Sequence, residues 1–389
     1  MSNIPTTEPC SDAELQTETP VRLSPVLDGL VNAEAQGAEC SFTVKPLPGE
    51  GISAMFDRLA VALREFDATI AHLMVFGSVS ASAAGTQAME RVWGKTDWPV
   101  TWVEGAACDG RPITGLQVFA VVGGEVRRVT LNGRVVGSVF EDGATRHCQL
   151  GGLGPKETSA SPATQARQTL ENLEVALAQA GFSLADTVRT WFYLDDLLSW
   201  YGEFNQARTQ TYARTRFRSG ALPASTGVAG RNPAGAALTV GAWAVQPIHP
   251  STRVEEVASP LQCPAPAYGS SFSRAMEIIS AAGRRLFISG TASLAPDGRT
   301  IAQGDARQQV ALTMGVVEAI LRSRGFTFGD LTRATAYFKH RSDVRVFQAW
   351  CGAYDLRSLP VLAIHCDICR DDLLFELEAD AWSSKQAVA

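Results

Sequence analysis

The stretch Cys366-Asp367-Ile368-Cys369-Arg370-Asp371-Asp372-Leu373-Leu374-Phe375-Glu376-Leu377-Glu378-Ala379 carries the residues best suited to chemistry. From Leu374 onward it alternates as a strand does, which puts Glu376 and Glu378 on one face and Phe375 and Leu377 on the other. Carboxylates roughly 7 Å apart on a half-buried face raise each other's pKa. One of them then stays protonated and is available as a general acid. The competing reading is a solvated edge strand.

A second constellation lies at Tyr201, Phe204 and Arg208, spaced i, i+3 and i+7. On a helix these share a face, so an aromatic floor and a guanidinium meet one ligand. Arg189 and Tyr193 alternate into a strand beside Trp191, where each reads equally as a structural residue. Cys366 and Cys369 form a CxxC, but a zinc site needs further ligands and a redox motif should open a helix. The eight cysteines are otherwise scattered, as expected of reduced thiols.

These residues need elements to position them, and a chain of 389 residues, 46% hydrophobic and 19% charged, has enough for two or three domains. The formal charge of -6 without a basic cluster argues against nucleic-acid binding. No apolar run reaches membrane length and the first residues lack a signal-peptide layout, so the expectation is a cytoplasmic protein. Neither a nucleotide-binding glycine loop nor a metal or flavin signature appears, and no cofactor or metal is expected.

Residues 1–45, rich in Thr, Glu, Ser and Pro, read as a flexible extension. Beyond them, helical periodicity over 52–66 leads into a strand at 73–76, a helix near 83–93 and strands at 98–103 and 116–122. Asn132-Gly133 marks a hairpin between strands at 127–131 and 134–139. Helices near 162–180 and 200–215 flank a strand at 187–194, and strands begin at Ala224 and Ala237. In the last third, strands at 285–289 and 300–301 precede helices at 308–324 and 344–356, with strands at 333–338, 361–366 and 373–381. The pattern GF[ST]xxDxxRxxxY occurs at Gly181–Tyr193 and again at Gly325–Tyr337, and Pro99, Pro223 and Pro360 each open a penultimate strand. Three related α+β units follow: 46–124, 125–250 and 263–389, the last two joined by a linker at 251–262.

This order, with the GF[ST]xxD entry and the proline, resembles the RidA (YjgF) fold. That family's homotrimers place binding clefts between subunits, so the resemblance implies a covalent pseudo-trimer that is monomeric in its simplest form. RidA-type imine deaminases carry an arginine two positions after the proline. Here the matching residues are Thr101, Ser225 and Leu362, which disfavours that activity.

The chain is similar over residues 75–382 to the chorismatases, which cleave the enolpyruvyl ether of chorismate on fused units of this kind. The resemblance rests on Arg189-Thr190-Trp191 with Tyr193, Tyr201-x-x-Phe204-x-x-x-Arg208, Leu222–Gly227, Tyr268-Gly269 with Ser271–Ala275, Leu286–Ala292 and the DICRDDLLFELE run. It implies Glu376 as the acid, with Arg208, Tyr201, Arg274, Tyr193, Gly290 and Glu378 around the substrate. Cys369 and Gly290 match the subtype that forms 3-hydroxybenzoate and pyruvate. The alternatives are hydrolysis to a dihydroxycyclohexadiene carboxylate, mixed 3- and 4-hydroxybenzoate formation, action on isochorismate, and a non-catalytic small-molecule binder. Against the family pattern, residues 127–154 add a hairpin and the N-terminal arm is extra.

Overall fold

The computed structural model describes residues 27–31 and 38–384. The first unit runs β1 (Leu27–Val31), β2 (Ala38–Val44), α1 (Ile52–Glu65), β3 (Ala68–Gly77), α2 (Ser82–Trp93), β4 (Val100–Val103), β5 (Ala106–Ala107) and β6 (Ile113–Val122). The second comprises β7 (Arg127–Leu131), β8 (Arg134–Glu141), β9 (Thr145–Leu153), α3 (Pro162–Ala180), β10 (Thr187–Leu194), α4 (Leu197–Ala213), β11 (Ala224–Ala229) and β12 (Leu238–Pro247). The third comprises β13 (Arg253–Val257), β14 (Ala275–Ser280), β15 (Gly283–Ala292), α5 (Ala306–Ser323), β16 (Leu331–Phe338), α6 (Val344–Ala353), β17 (Val361–His365) and β18 (Phe375–Ser383). Among the described residues no helix is long and apolar enough to cross a membrane.

The sheets have orders β1-β2-β6-β3-β4, β11-β10-β12-β9-β8-β7 and β13-β14-β15-β18-β16-β17-β5. In each, the last long strand lies between the second strand of its hairpin and the strand after the first helix. This is one α+β topology used three times.

The repeated motif explains how each helix hands over to its strand. Gly181, left-handed at φ 80°, ends α3, and buried Phe182 anchors the turn. The Ser183 and Asp186 side chains then close a capping box that turns the chain into β10. Gly325, Phe326, Thr327 and Asp330 repeat this before β16.

Each unit packs its helices on its own sheet, and a further cluster joins Phe76, Phe119, Trp191, Tyr193, Trp243, Phe287 and Tyr337 from all three units. Around this shared core the penultimate strand of each unit meets the next. Ser273 N donates to Pro223 O (3.1 Å), Gly152 N to Thr101 Oγ1 (2.8 Å) and Thr43 Oγ1 to Pro360 O (3.5 Å). β5 also pairs with β17, stitching the first unit to the third.

Four expectations change. The flexible extension was placed as far as residue 45, yet Ala38–Val44 is a strand paired with β6, with Cys40, Phe42 and Val44 buried at period two. The remainder of that stretch, 1–26 and 32–37, lies outside the described residues. The 127–154 hairpin is no addition: β8 and β9 occupy the places that β14 and β15 hold in the third sheet. Residues 253–257, expected within a linker, pair with β14 as an edge strand. Residues 300–301 form only an isolated bridge, Thr300 to Leu294.

Candidate active site

β18 lies against β16 with Glu376 opposite Tyr337 and Glu378 opposite Thr335, so both glutamates face the second unit. Their environments differ sharply. Glu376 is 4% exposed, and among the described residues nothing donates a hydrogen bond to its carboxyl. Burial, then the charge of Glu378, pushes its pKa up to about 8 against the opposing pull of Arg189 and Arg274. Glu378 is also fully buried, yet Arg333 and Arg189 outweigh the cost of burial and hold it at about 2. Its Oε2 accepts from Arg189 Nη2 (2.6 Å), and its Oε1 from Arg333 Nη1 (2.9 Å) and the Tyr337 hydroxyl (3.2 Å). At neutral pH Glu376 is mostly protonated while Glu378 is ionised.

This corrects the assignment of Glu378 as a substrate contact. With no exposed surface and both oxygens engaged, it serves as the anion of the central ion cluster. Tyr193 is also buried, and its hydroxyl has no hydrogen-bond partner among the described residues. It is 1% exposed, packs edge-on against Phe76 (6.1 Å), and has its phenol raised by burial and then by Glu378. It faces the shared core. Arg189, read as either structural or ligand-binding, spends one Nη on Glu378 and Thr226.

Gly290 lies directly under the acid. A Cβ built there would overlap Oε1 of Glu376 and lie 3.0 Å from its carboxyl carbon. Only glycine leaves the carboxyl in place. Gly290 N donates to Thr226 Oγ1 (3.1 Å), which also accepts from Arg189 Nη2 (2.8 Å). Thr226 thereby ties the floor of the cleft to the ion cluster.

α4 presents Tyr201, Phe204 and Arg208 on one face, as their spacing predicts. Tyr201 stacks on Phe204 (5.9 Å, 28°), and the Arg208 guanidinium lies 5.2 Å from the Phe204 ring and 5.8 Å from Phe192. Arg208 Nη2 donates to Asn205 Oδ1 at 2.8 Å, while its nearest other acceptor, Ser225 Oγ, is at 3.5 Å. Arg274 comes from the opposite wall, just before β14. Its Nε donates to Cys263 O (3.0 Å), its guanidinium lies over Tyr268 (5.3 Å) and Phe272 (5.6 Å), and one Nη is buried without a partner.

Both arginines are almost fully buried, and neither has a carboxylate partner among the described residues. A buried, unpaired guanidinium is costly in the free protein, and an anionic ligand removes that cost.

The remaining predicted residues converge on the same place. The Tyr201 phenol is raised above its ordinary value, chiefly by burial, and lies near Cys369, Arg208 and Glu376. Cys369 is pushed up to about 12 by burial and then by Glu376, so it is a neutral thiol. Arg370 donates to Gly298 O and lies over Tyr268, holding the turn before Glu376. Glu376, Cys369, Arg208, Tyr201, Arg274 and Gly290 therefore lie near one another, around the Glu376 carboxyl. Sequence reasoning did not single out Asn205, Thr226 or Tyr268 as site residues, although the last two lie inside matched blocks, and it read Ser225 only as the place of a missing arginine.

Strand register also revises one alignment. Thr101, Thr226 and Leu362 pair with Met74, Trp191 and Thr335, which in turn oppose Gln117, Gly241 and Glu378. The second unit takes one residue more after its proline, so Thr226 rather than Ser225 holds the equivalent place. By the same register the places of Glu376 are Gly115 and Thr239 in the other units, and one cleft of three keeps the acid.

Glu39, Asp142 and His147 approach one another closely enough to consider a metal. Trp243 Nε1, which can only donate, gives its hydrogen to His147 Nδ1 (3.1 Å). The histidine proton is then on Nε2, facing Asp142 (3.1 Å), which is where a metal would have to bind. These residues do not fit one.

Fold and site together define a pseudo-trimeric α+β protein with one acid-bearing cleft. The profile described as Endoribonuclease L-PSP matches residues 150–245 and 264–383, and the chain belongs to that family. It is 24% identical over 224 residues to a 3-hydroxybenzoate synthase of Streptomyces hygroscopicus, covering 51% of this chain and 64% of that protein. A chorismatase of the same organism is 26% identical over 212 residues, 49% of this chain and 60% of the relative. These matches span less than two thirds of the relatives' own lengths. A crystal structure of a chorismatase superposes with a TM-score of 0.62 at 20% identity, covering 88% of this chain and 98% of that one, and shares its fold.

Proposed function

We propose that this chain is a chorismatase that converts chorismate to 3-hydroxybenzoate and pyruvate, acting as a single chain without cofactor or metal. The observation that carries the reading is the pairing of a neutral acid with two buried guanidiniums that lack carboxylate partners, Arg208 and Arg274. Chorismate is a dianion with a ring carboxylate and an enolpyruvyl carboxylate, and planar two-point binding suits arginine. The relatives named chorismatase and 3-hydroxybenzoate synthase support the same substrate and product.

In this mechanism Arg208 and Arg274 hold the two carboxylates, with the ring against Tyr201 and Phe204. Glu376 gives its proton to the enolpyruvyl methylene carbon. The oxocarbenium ion that forms lies beside the new carboxylate, which stabilises it. Substrate and products have the same atoms, so no net water is needed. The C4 hydroxyl of the substrate adds to the oxocarbenium carbon. The C4–O bond then breaks as the C3 proton is lost to the Glu376 carboxylate and the ring aromatises. The resulting hemiketal gives up its hydroxyl proton to the ring oxygen as it releases pyruvate and the 3-hydroxyl. Cys369, as a thiol, shapes that step by its size or by touching the ring.

Glu378 tunes the acid from behind. Its fixed negative charge raises Glu376, while Arg189 limits the rise. The direct test is Glu376→Gln, which should bind chorismate by calorimetry and release no pyruvate. Turnover at the wild-type rate in that variant would remove Glu376 from the mechanism.

A further inference from the structure

Between β17 and the first unit, the place that Glu376 holds in the third unit carries no acid. Gly115 stands where Glu376 stands in the third unit, and a Cβ on it would lie 2.5 Å from Leu362 Cδ2. Leu362, at the place of Thr226, therefore covers the position a catalytic carboxyl would need. Proton transfer from that position is impossible. A cavity of about 900 Å³ nevertheless remains, at the upper end of the range for small-molecule sites.

Its walls carry Lys45, Arg111, Arg341, Arg345 and Arg357 against one acid, Asp109. Arg111 is spent on Asp109 at 2.6 Å, and Lys45 donates to Leu359 O. Arg341, Arg345 and Arg357 have no carboxylate partner among the described residues. Three unpaired guanidiniums at one mouth are notable in a chain whose formal charge is -6. Like charges held together cost energy unless an anion joins them. Behind them the floor is apolar, formed by Phe347, Val361, Leu362 and Cys351.

We propose that this cleft is a second, non-catalytic ligand site, and that it takes a small dicarboxylate or other polyanion built on an apolar ring. The arginines meet the charges and Phe347 and Leu362 meet the ring. The inference rests on pseudo-symmetry and charge and is independent of the chemistry assigned to Glu376.

The test is calorimetry on the full chain with benzene-1,3-dicarboxylate as probe and Arg274→Gln as background, so that binding beside Glu376 is weakened. Binding should persist there, weaken as salt rises, and fall at least tenfold when Arg341, Arg345 and Arg357 are all changed to serine. All three are exposed, so the triple variant should keep its melting temperature. Absence of binding in the Arg274→Gln protein, or binding unchanged by the triple substitution, overturns the proposal. Inorganic phosphate binding as tightly as the dicarboxylate would overturn the ring requirement.

Discussion

Gly290 leaves room for the Glu376 carboxyl, and a methyl group at 290 would occupy the space of Oε1. Gly290→Ala should move the acid out of line with its substrate. The expected loss in kcat is at least about a hundredfold, with a stability cost of about 1–3 kcal/mol. Pyruvate release and thermal melting measured on the same preparation separate the two effects. An alanine variant with wild-type kcat would mean that the carboxyl position is not critical.

Glu376 acts protonated, and its pKa is raised to about 8. The rate should therefore be flat below pH 7 and fall tenfold per pH unit above about 8. The same shift affects stability. The folded-state pKa lies above the unfolded value, so the contribution is complete below about pH 4.5 and is lost as pH rises through about 8. Glu376→Gln should gain on wild type between pH 5 and 9 by on the order of 4 kcal/mol. Denaturant titrations at the two pH values check this, and a constant difference would contradict the raised pKa.

Glu378→Gln removes one of the two causes that raise Glu376 and leaves Arg189 and Arg333 short of an anion. The alkaline limb of the rate profile should move to lower pH, and stability should fall by about 3–5 kcal/mol. A merely structural role for Glu378 would cost stability and leave the limb where it was.

Much of this was legible in the chain. Strand alternation placed Glu376 and Glu378 on one face, and the i, i+3, i+7 spacing placed Tyr201, Phe204 and Arg208 on another. Alternation could not show that the two glutamates meet different partners. Glu378 is fixed by Arg189, 189 residues away, and that pairing exists only once the units close. The repeated GF[ST]xxDxxRxxxY motif marked the repeat, and the structure shows how it builds each unit. Its glycine and aspartate turn the chain, and its Arg333 and Tyr337 line the axis. β2 was missed because its short alternation of Cys40, Phe42 and Val44 lies among polar residues.

Arg208→Gln and Arg274→Gln should each raise KM about tenfold to a hundredfold, the worth of a charge-assisted bond to a carboxylate. Folding should be preserved or improved, since each arginine is buried without a carboxylate partner. Chorismate titrations of both variants in the Glu376→Gln background read binding alone. Unchanged affinity in both would place the substrate elsewhere.

Cys369→Ala should turn product away from 3-hydroxybenzoate toward a dihydroxycyclohexadiene carboxylate, because the thiol shapes the step after proton transfer. Chromatographic product ratios check it. An unmoved ratio would separate Cys369 from product choice.

The most direct measurement is incubation of the purified chain with chorismate, without added metal or cofactor, following pyruvate and ring products together. Equal amounts of pyruvate and 3-hydroxybenzoate are predicted, with neither formed by Glu376→Gln. Chorismate left unconsumed by the wild-type chain would contradict the assignment of this cleft as a chorismatase site.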